Sequence, residues 1–137
     1  MVDAGSIEAR LEHLDEFLER CEEIRAAGRS AYDENVQSRL AAQRAIQLSI
    51  QICIDIAAHL IAEWGPRMPA DYHGVFGALR RDGLDDDLAE QLASAARMRN
   101  VLVHGYLEVD DNVVWDALDH LDDLRRFAAF AQNKIDD

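Results

Sequence analysis

Apolar residues at Ile7, Leu11, Leu14, Leu18, Cys21 and Ile24 recur at steps of three and four, the period of one face of an α-helix. The spacing predicts a first helix from about Ser6, read as its N-cap, to Ala26. Gly28 and Arg29 break the pattern. A long second helix follows from roughly Ala31 or Glu34 to Trp64, carrying Leu40, Ile46, Ile50, Ile54, Ala57 and Ile61, and Gly65-Pro66 ends it. The stretch Arg67 to His73, with Pro69 inside it, reads as loop. A short helix covers Gly74 to Arg81 around Val75, Phe76 and Leu79, and Gly83 closes it. Asp85, Asp86 and Asp87 then put negative charge at the start of a helix running toward Val103, which suits the helix dipole. Asp110 or Asp111 caps a last helix through Ile135, striped by Val114, Leu118, Leu121, Leu124 and Phe127. Repeats, low-complexity runs and strand-like alternation are absent from the sequence.

Four long helices and a short one joined by short loops predict an all-α fold, an antiparallel helical bundle. With 137 residues, the chain can bury one hydrophobic core, so a single domain is expected over 1–137. The second helix would be about 45 to 50 Å long if unbroken, more than a compact bundle of this size needs. Part of it is therefore expected to pack against a second subunit. Its apolar run, Ile46 to Ile61, is interrupted by Gln47, Gln51, Asp55 and His59, which reads as a core helix and not as a membrane span. No basic region followed by an apolar run opens the chain, so a cytoplasmic protein is expected. Cys21 and Cys53 sit at apolar helical positions and read as buried, reduced thiols.

The net charge of −13 changes the picture, because indiscriminate nucleic-acid binding depends on neutralising phosphates with Lys and Arg. Any contact with RNA has to be local. Thirteen of the 14 basic residues are Arg, a bias that carries no mechanism by itself.

The segment Arg99-Asn-Val-Leu-Val-His-Gly-Tyr106 concentrates the chemistry. Gly105 stands where a left-handed residue would end the fourth helix, which puts His104 at a helix C-terminus, where the free carbonyls favour imidazolium. A histidine there suits general acid–base work near neutrality. Arg99 lies five residues earlier, about 140° around a continuous helix, so the two side chains diverge. Either the last turn distorts, or a two-fold dimer sets the segment opposite its symmetry mate. The dimer supplies two imidazoles and two guanidiniums, enough for metal-free RNA cleavage: one His takes the 2′-hydroxyl proton, the other protonates the leaving oxygen, and the arginines hold the phosphoryl oxygens.

The pattern Arg-x4-His-x-Tyr, formed by Arg99, His104 and Tyr106, resembles the signature of HEPN-domain ribonucleases, specifically the HepT toxin family. The likeness extends to the long helix over Arg44–His59, to Pro69–Phe76 and to the helix opening at Val113–Leu118. The resemblance implies a HEPN-like homodimer, the toxin of a toxin–antitoxin pair and a metal-independent endoribonuclease that needs no cofactor. Its implied partners are RNA and a minimal nucleotidyltransferase antitoxin that adenylylates Tyr106. Each AMP would bring bulk and negative charge beside a cleft meant for a phosphodiester. The implied site is Arg99 and His104 as catalytic residues, Asn100 in support and Tyr106 as the modified residue. The competing reading is a non-catalytic HEPN module that binds nucleotide or regulates the nucleotidyltransferase.

Other polar patterns have simpler explanations. Asn100 donates to a phosphate or satisfies the turn. Asp55, His59 and Glu63, at i, i+4 and i+8, read as a polar seam rather than a metal site. Asp116 and His120 read as a surface pair, and Asp119, Asp122 and Asp123 as a solvated face or an antitoxin contact. Trp64, Tyr72 and Trp115 flank helix ends, where aromatics either stack on bases or pack in the core.

Overall fold

The computed structural model describes residues 3–64 and 73–136, with the side chains of Trp64, His73 and Tyr106 outside the description. The loop expected from Arg67, and Tyr72 within it, therefore lies outside the described residues. Among those residues the chain is all-helical: α1 Ala4–Ala26, α2 Arg29–Glu34, α3 Val36–Trp64, α4 His73–Ala78, α5 Asp86–His104, α6 Asp111–Ala117 and α7 Leu121–Asp136. Single 3₁₀ turns at Leu79–Asp82, Tyr106–Glu108 and Leu118–His120 follow α4, α5 and α6.

The expected antiparallel bundle is present, with α3 at its centre against α1, α4, α5 and α7. Ile7, Leu14, Leu18 and Cys21 of α1 are buried, as their spacing requires. The N-cap is Asp3, however, whose carboxylate accepts from the Ser6 N–H, so Ser6 is the capped residue and not the cap. The last helix is also divided. Its stripe of Val114, Leu118, Leu121, Leu124 and Phe127 is buried as expected, but a 3₁₀ turn tightens the rod between α6 and α7.

The long second helix is broken where the sequence pattern ran on. Gly28, at φ +96°, releases the chain into the six-residue α2, and Asn35 then takes an extended conformation. The Asn35 side-chain oxygen accepts from the N–H groups of Gln37 and Ser38, at 2.9 and 3.2 Å, and so starts α3 afresh. The 29-residue α3 spans about 43 Å. The elbow is useful because it turns Tyr32 inward, where its hydroxyl donates to the Asp111 carbonyl at 2.9 Å and its ring lies 5.0 Å from that of Trp115. Trp115 is thus a packing residue. Arg39 Nε lies 3.3 Å from the Asp111 carboxylate, a second tie between the start of α3 and the start of α6.

Val36–Glu63 is long and apolar enough to cross a bilayer by composition, yet Ile46, Ile50, Ile54, Ala57 and Ile61 are buried in the core. Leu40 departs from the expected stripe: it is 60 % exposed. The core closes around Phe76 and Phe127, which meet edge to face at 5.4 Å. Cys21 and Cys53 are buried and free, and burial pushes the Cys21 thiol up to about 12 and the Cys53 thiol up as well.

Candidate functional site

Helix α5 delivers the candidate residues. It starts with Asp85, whose carboxylate accepts from the Leu88 N–H at 3.0 Å, and it buries Leu88, Leu92, Ala96 and Leu102 against the bundle. That anchoring leaves the faces carrying Arg99 and His104 at the rim. The helix stays regular to its end, where the Gly105 N–H donates to Val101 O at 2.7 Å. Gly105 has φ −102°, so it is not the left-handed stop that its identity suggested. Its lack of a side chain matters for a different reason: a Cβ there would lie 2.8 Å from the Val101 carbonyl oxygen.

A regular last turn leaves the roughly 140° between Arg99 and His104 uncorrected. Distortion, one of the two ways of reconciling them, is therefore not what α5 does. Arg99 is half-buried, and its guanidinium donates to the Asn100 side-chain oxygen. His104 is exposed on another face. Asn100 thus holds the guanidinium rather than completing a turn. The backbone of Tyr106 begins the 3₁₀ turn two residues past His104, and its side chain lies outside the description.

Only residues 105–110 separate α5 from α6, and α6 is tied to the start of α3 through Tyr32 and Arg39. The end of α5 and the starts of α3 and α6 therefore share one end of the bundle. The large exposed apolar residues of the described chain, Val36, Leu40, Val101, Leu107 and Val113, all belong to the segments that meet there. Leu107 is 84 % exposed. Such a concentration is what an interaction surface presents to solvent.

Charge is divided along the same line. Residues 35–54 carry Arg39 and Arg44 with no acidic residue, and residues 91–107 carry Arg97 and Arg99 with none. All 27 carboxylates lie elsewhere. Those nearest this end are partly engaged: Asp33 pairs with Arg29 at 2.9 Å, Asp111 pairs with Arg39, and Asp110 caps α6.

The remaining polar patterns do not assemble a site. Asp55 accepts from Gln51 at 2.9 Å, His59 is exposed, and no group of three or more His, Cys, Asp or Glu gathers among the described residues. Asp119 pairs with Arg25, while Asp116 and His120 are both exposed and form no ion pair with each other. An apolar cavity of about 240 Å³ opens between α3, α5 and α7, floored by Ile46, Ile50 and Met98. One residue escaped the sequence reading. Arg97, exposed on α5, lies seven residues before His104, and that interval was itself the available signal.

A family model described as "Ribonuclease HepT-like" matches residues 14–131. The chain is 27 % identical over 113 residues to a protein named tRNA nuclease HepT from Aphanizomenon flos-aquae, covering 82 % of this chain and 77 % of that one. It is 30 % identical over 113 residues to a putative RNase from Archaeoglobus fulgidus, covering 82 % and 83 %. In structure it is similar to a tri-AMPylated Shewanella oneidensis HEPN toxin solved in complex with MNT antitoxin, with a TM-score of 0.84, 22 % identity and coverage of 97 % and 99 %. That structural likeness shows the shared fold.

Proposed function

Because the chain belongs to the HepT-like ribonuclease family, we propose that it is the toxin of a toxin–antitoxin pair, a metal-independent endoribonuclease whose site forms between two copies of the chain. The observation that carries this reading is the regular end of α5. It presents His104 to solvent and Arg99 on a different face, beside the exposed apolar residues of the same end. A two-fold pairing over Val101 and Leu107 would cover apolar surface and gather two imidazoles and two guanidiniums in one cleft.

The chemistry follows from those groups. One His104 imidazole removes the 2′-hydroxyl proton, and the 2′-oxygen attacks the adjacent phosphorus. The bond to the 5′-oxygen breaks as the second His104, entering as imidazolium, protonates that oxygen, leaving a 2′,3′-cyclic phosphate and a 5′-hydroxyl. The Arg99 guanidiniums, each oriented by its Asn100 oxygen, take the charge that builds on the phosphoryl oxygens. Acid, base and electrostatic stabiliser are thus all side chains of this protein, working in the cytoplasm without a cofactor.

Control falls to Tyr106. An adenylyl group added to it by a minimal nucleotidyltransferase antitoxin would bring negative charge two residues from His104 in sequence and repel a phosphodiester. The test uses protein freed of its antitoxin, incubated with RNA in EDTA. Cleavage that disappears in His104→Ala and Arg99→Ala supports the proposal, and undiminished activity of either variant refutes it. Intact mass from cells with and without the partner then checks the switch, with a gain in AMP units that Tyr106→Phe abolishes. The competing non-catalytic reading predicts nucleotide or partner binding with intact RNA in every arm.

A further inference from the structure

Seven residues advance an α-helix by about 700°, which brings Arg97 to within roughly 20° of His104 and about 10.5 Å along the axis. Arg99, by contrast, is on another face. The exposed stripe of α5 is therefore Ser94, Arg97, Val101 and His104, all four exposed in the single chain, with Val101 the one the proposed pairing covers. Within this stripe the only basic residues are Arg97 and His104. The Arg97 guanidinium donates to Ser94 Oγ at 3.0 Å, which fixes it along the stripe, and it makes no ion pair with a carboxylate among the described residues. It contrasts with Arg25, Arg29, Arg39 and Arg125, each paired with acidic side chains in a protein rich in them. The stretch 91–107 itself carries no carboxylate, and the acidic residue that shares a cavity with Ser94 is Asp123 of α7.

We infer that Arg97 binds the phosphodiester backbone of the substrate on the strand flanking the reacting phosphate, and so sets the register in which RNA reaches His104. The inference rests on the ribonuclease reading above and names a substrate-positioning residue for it. Arg97 takes no part in bond making. Its planar guanidinium, anchored on one side by Ser94, leaves its remaining N–H donors for phosphate oxygens. A backbone contact of this kind carries no base preference.

The test measures binding and cleavage separately. Binding of a labelled single-stranded RNA oligonucleotide is followed by anisotropy across a salt series in the His104→Ala background, with Arg97 intact, Arg97→Ala or Arg97→Lys. The dependence of log K on log salt is expected to lose about 0.7 in slope for each contact removed by Arg97→Ala. Affinity should fall about tenfold, the loss of one charge-assisted contact, and Arg97→Lys should restore most of the slope. With His104 present, Arg97→Ala should raise KM for RNA while kcat stays near the parent value and the protein stays dimeric. An unchanged salt slope, a loss confined to kcat, or dissociation of the dimer in Arg97→Ala overturns the assignment. Parent protein that leaves RNA intact refutes the ribonuclease reading instead, and the binding series still decides whether Arg97 meets phosphate.

Discussion

Leu107 offers the sharpest test of the two-copy site. Replacing it with Asp removes an apolar side chain that is 84 % exposed in the single chain and sets a carboxylate at the end of the bundle that also carries Val101 and Val113. Burying a Leu completely is worth roughly 1.5–3 kcal/mol. Scaled to the exposed part and counted twice across a two-fold axis, the loss is about 2.5–5 kcal/mol, a rise in dimer Kd on the order of a hundredfold to several thousandfold. Sedimentation equilibrium over a concentration series reads that shift directly. Because the side chain makes little contact within one chain, thermal stability of the separated protomer should change by less than about 0.5 kcal/mol. Ala129→Asp, on the exposed side of α7, is the control and should leave the dimer intact. RNA cleavage should fall with the dimer fraction and return at protein concentrations above the new Kd. A Leu107→Asp protein that stays dimeric at the parental Kd, or a monomer that cleaves at the parental rate, refutes the reasoning.

Three further outcomes probe the frame around the site. Phe127→Ala, emptying a fully buried position against Phe76 and Phe130, should cost about 3–5 kcal/mol in urea unfolding with no change in the native α-helical spectrum. Gly105→Ala forces a Cβ toward the Val101 carbonyl, so it should cost about 1–3 kcal/mol and shift the amide signals of residues 104–108; unshifted signals would show that the turn absorbs the methyl group. Cys21 and Cys53 should resist alkylation in the native protein at pH 8 and react only on unfolding. Because folding raises their thiols, the associated stability is complete below the unfolded thiol range near pH 8.5 and is lost as pH rises toward about 12, so urea midpoints should fall across that window.

The helix count and the core were legible because burial here follows the helical period. Ile7, Leu14, Leu18 and Cys21, and the stripe from Val114 to Phe127, are buried where their spacing puts them, while Leu11 and Ile24 are partly buried beside them. What escaped the pattern is local backbone competition. Asn35 can cap as readily as it can continue a helix, and hydrophobic spacing does not register the difference, so α2 and α3 read as one. Ser6 and Asp3 are both capping residues, and only the geometry chooses Asp3. Leu40 looked like core because periodicity reports a face without saying whether a neighbour reaches it. At the site, Arg99 and His104 stood out by their spacing, and the divergence of their side chains was computable in advance. The Asn100 contact was not, since it depends on a rotamer. Arg97 is the opposite case: an interval of seven sets it on the face of His104, outside the Arg99–Tyr106 segment.

The division of charge acts on an approaching RNA before any contact forms. With every carboxylate outside residues 35–54 and 91–107, a polyanion meets repulsion from most directions and least along those two stretches, which Asp33, Glu34, Glu108, Asp110 and Asp111 flank. Mobile ions screen that repulsion over about 8–10 Å, so the encounter should quicken as salt is added, contrary to the usual behaviour of nucleic-acid-binding proteins. Arginine contacts in the bound state weaken over the same range, so release should quicken more. Stopped-flow mixing at two ionic strengths separates the two rates, and an association rate that falls with salt contradicts this account. An association rate that rises with salt would make the acidic body a kinetic filter on polyanions that approach its flanks.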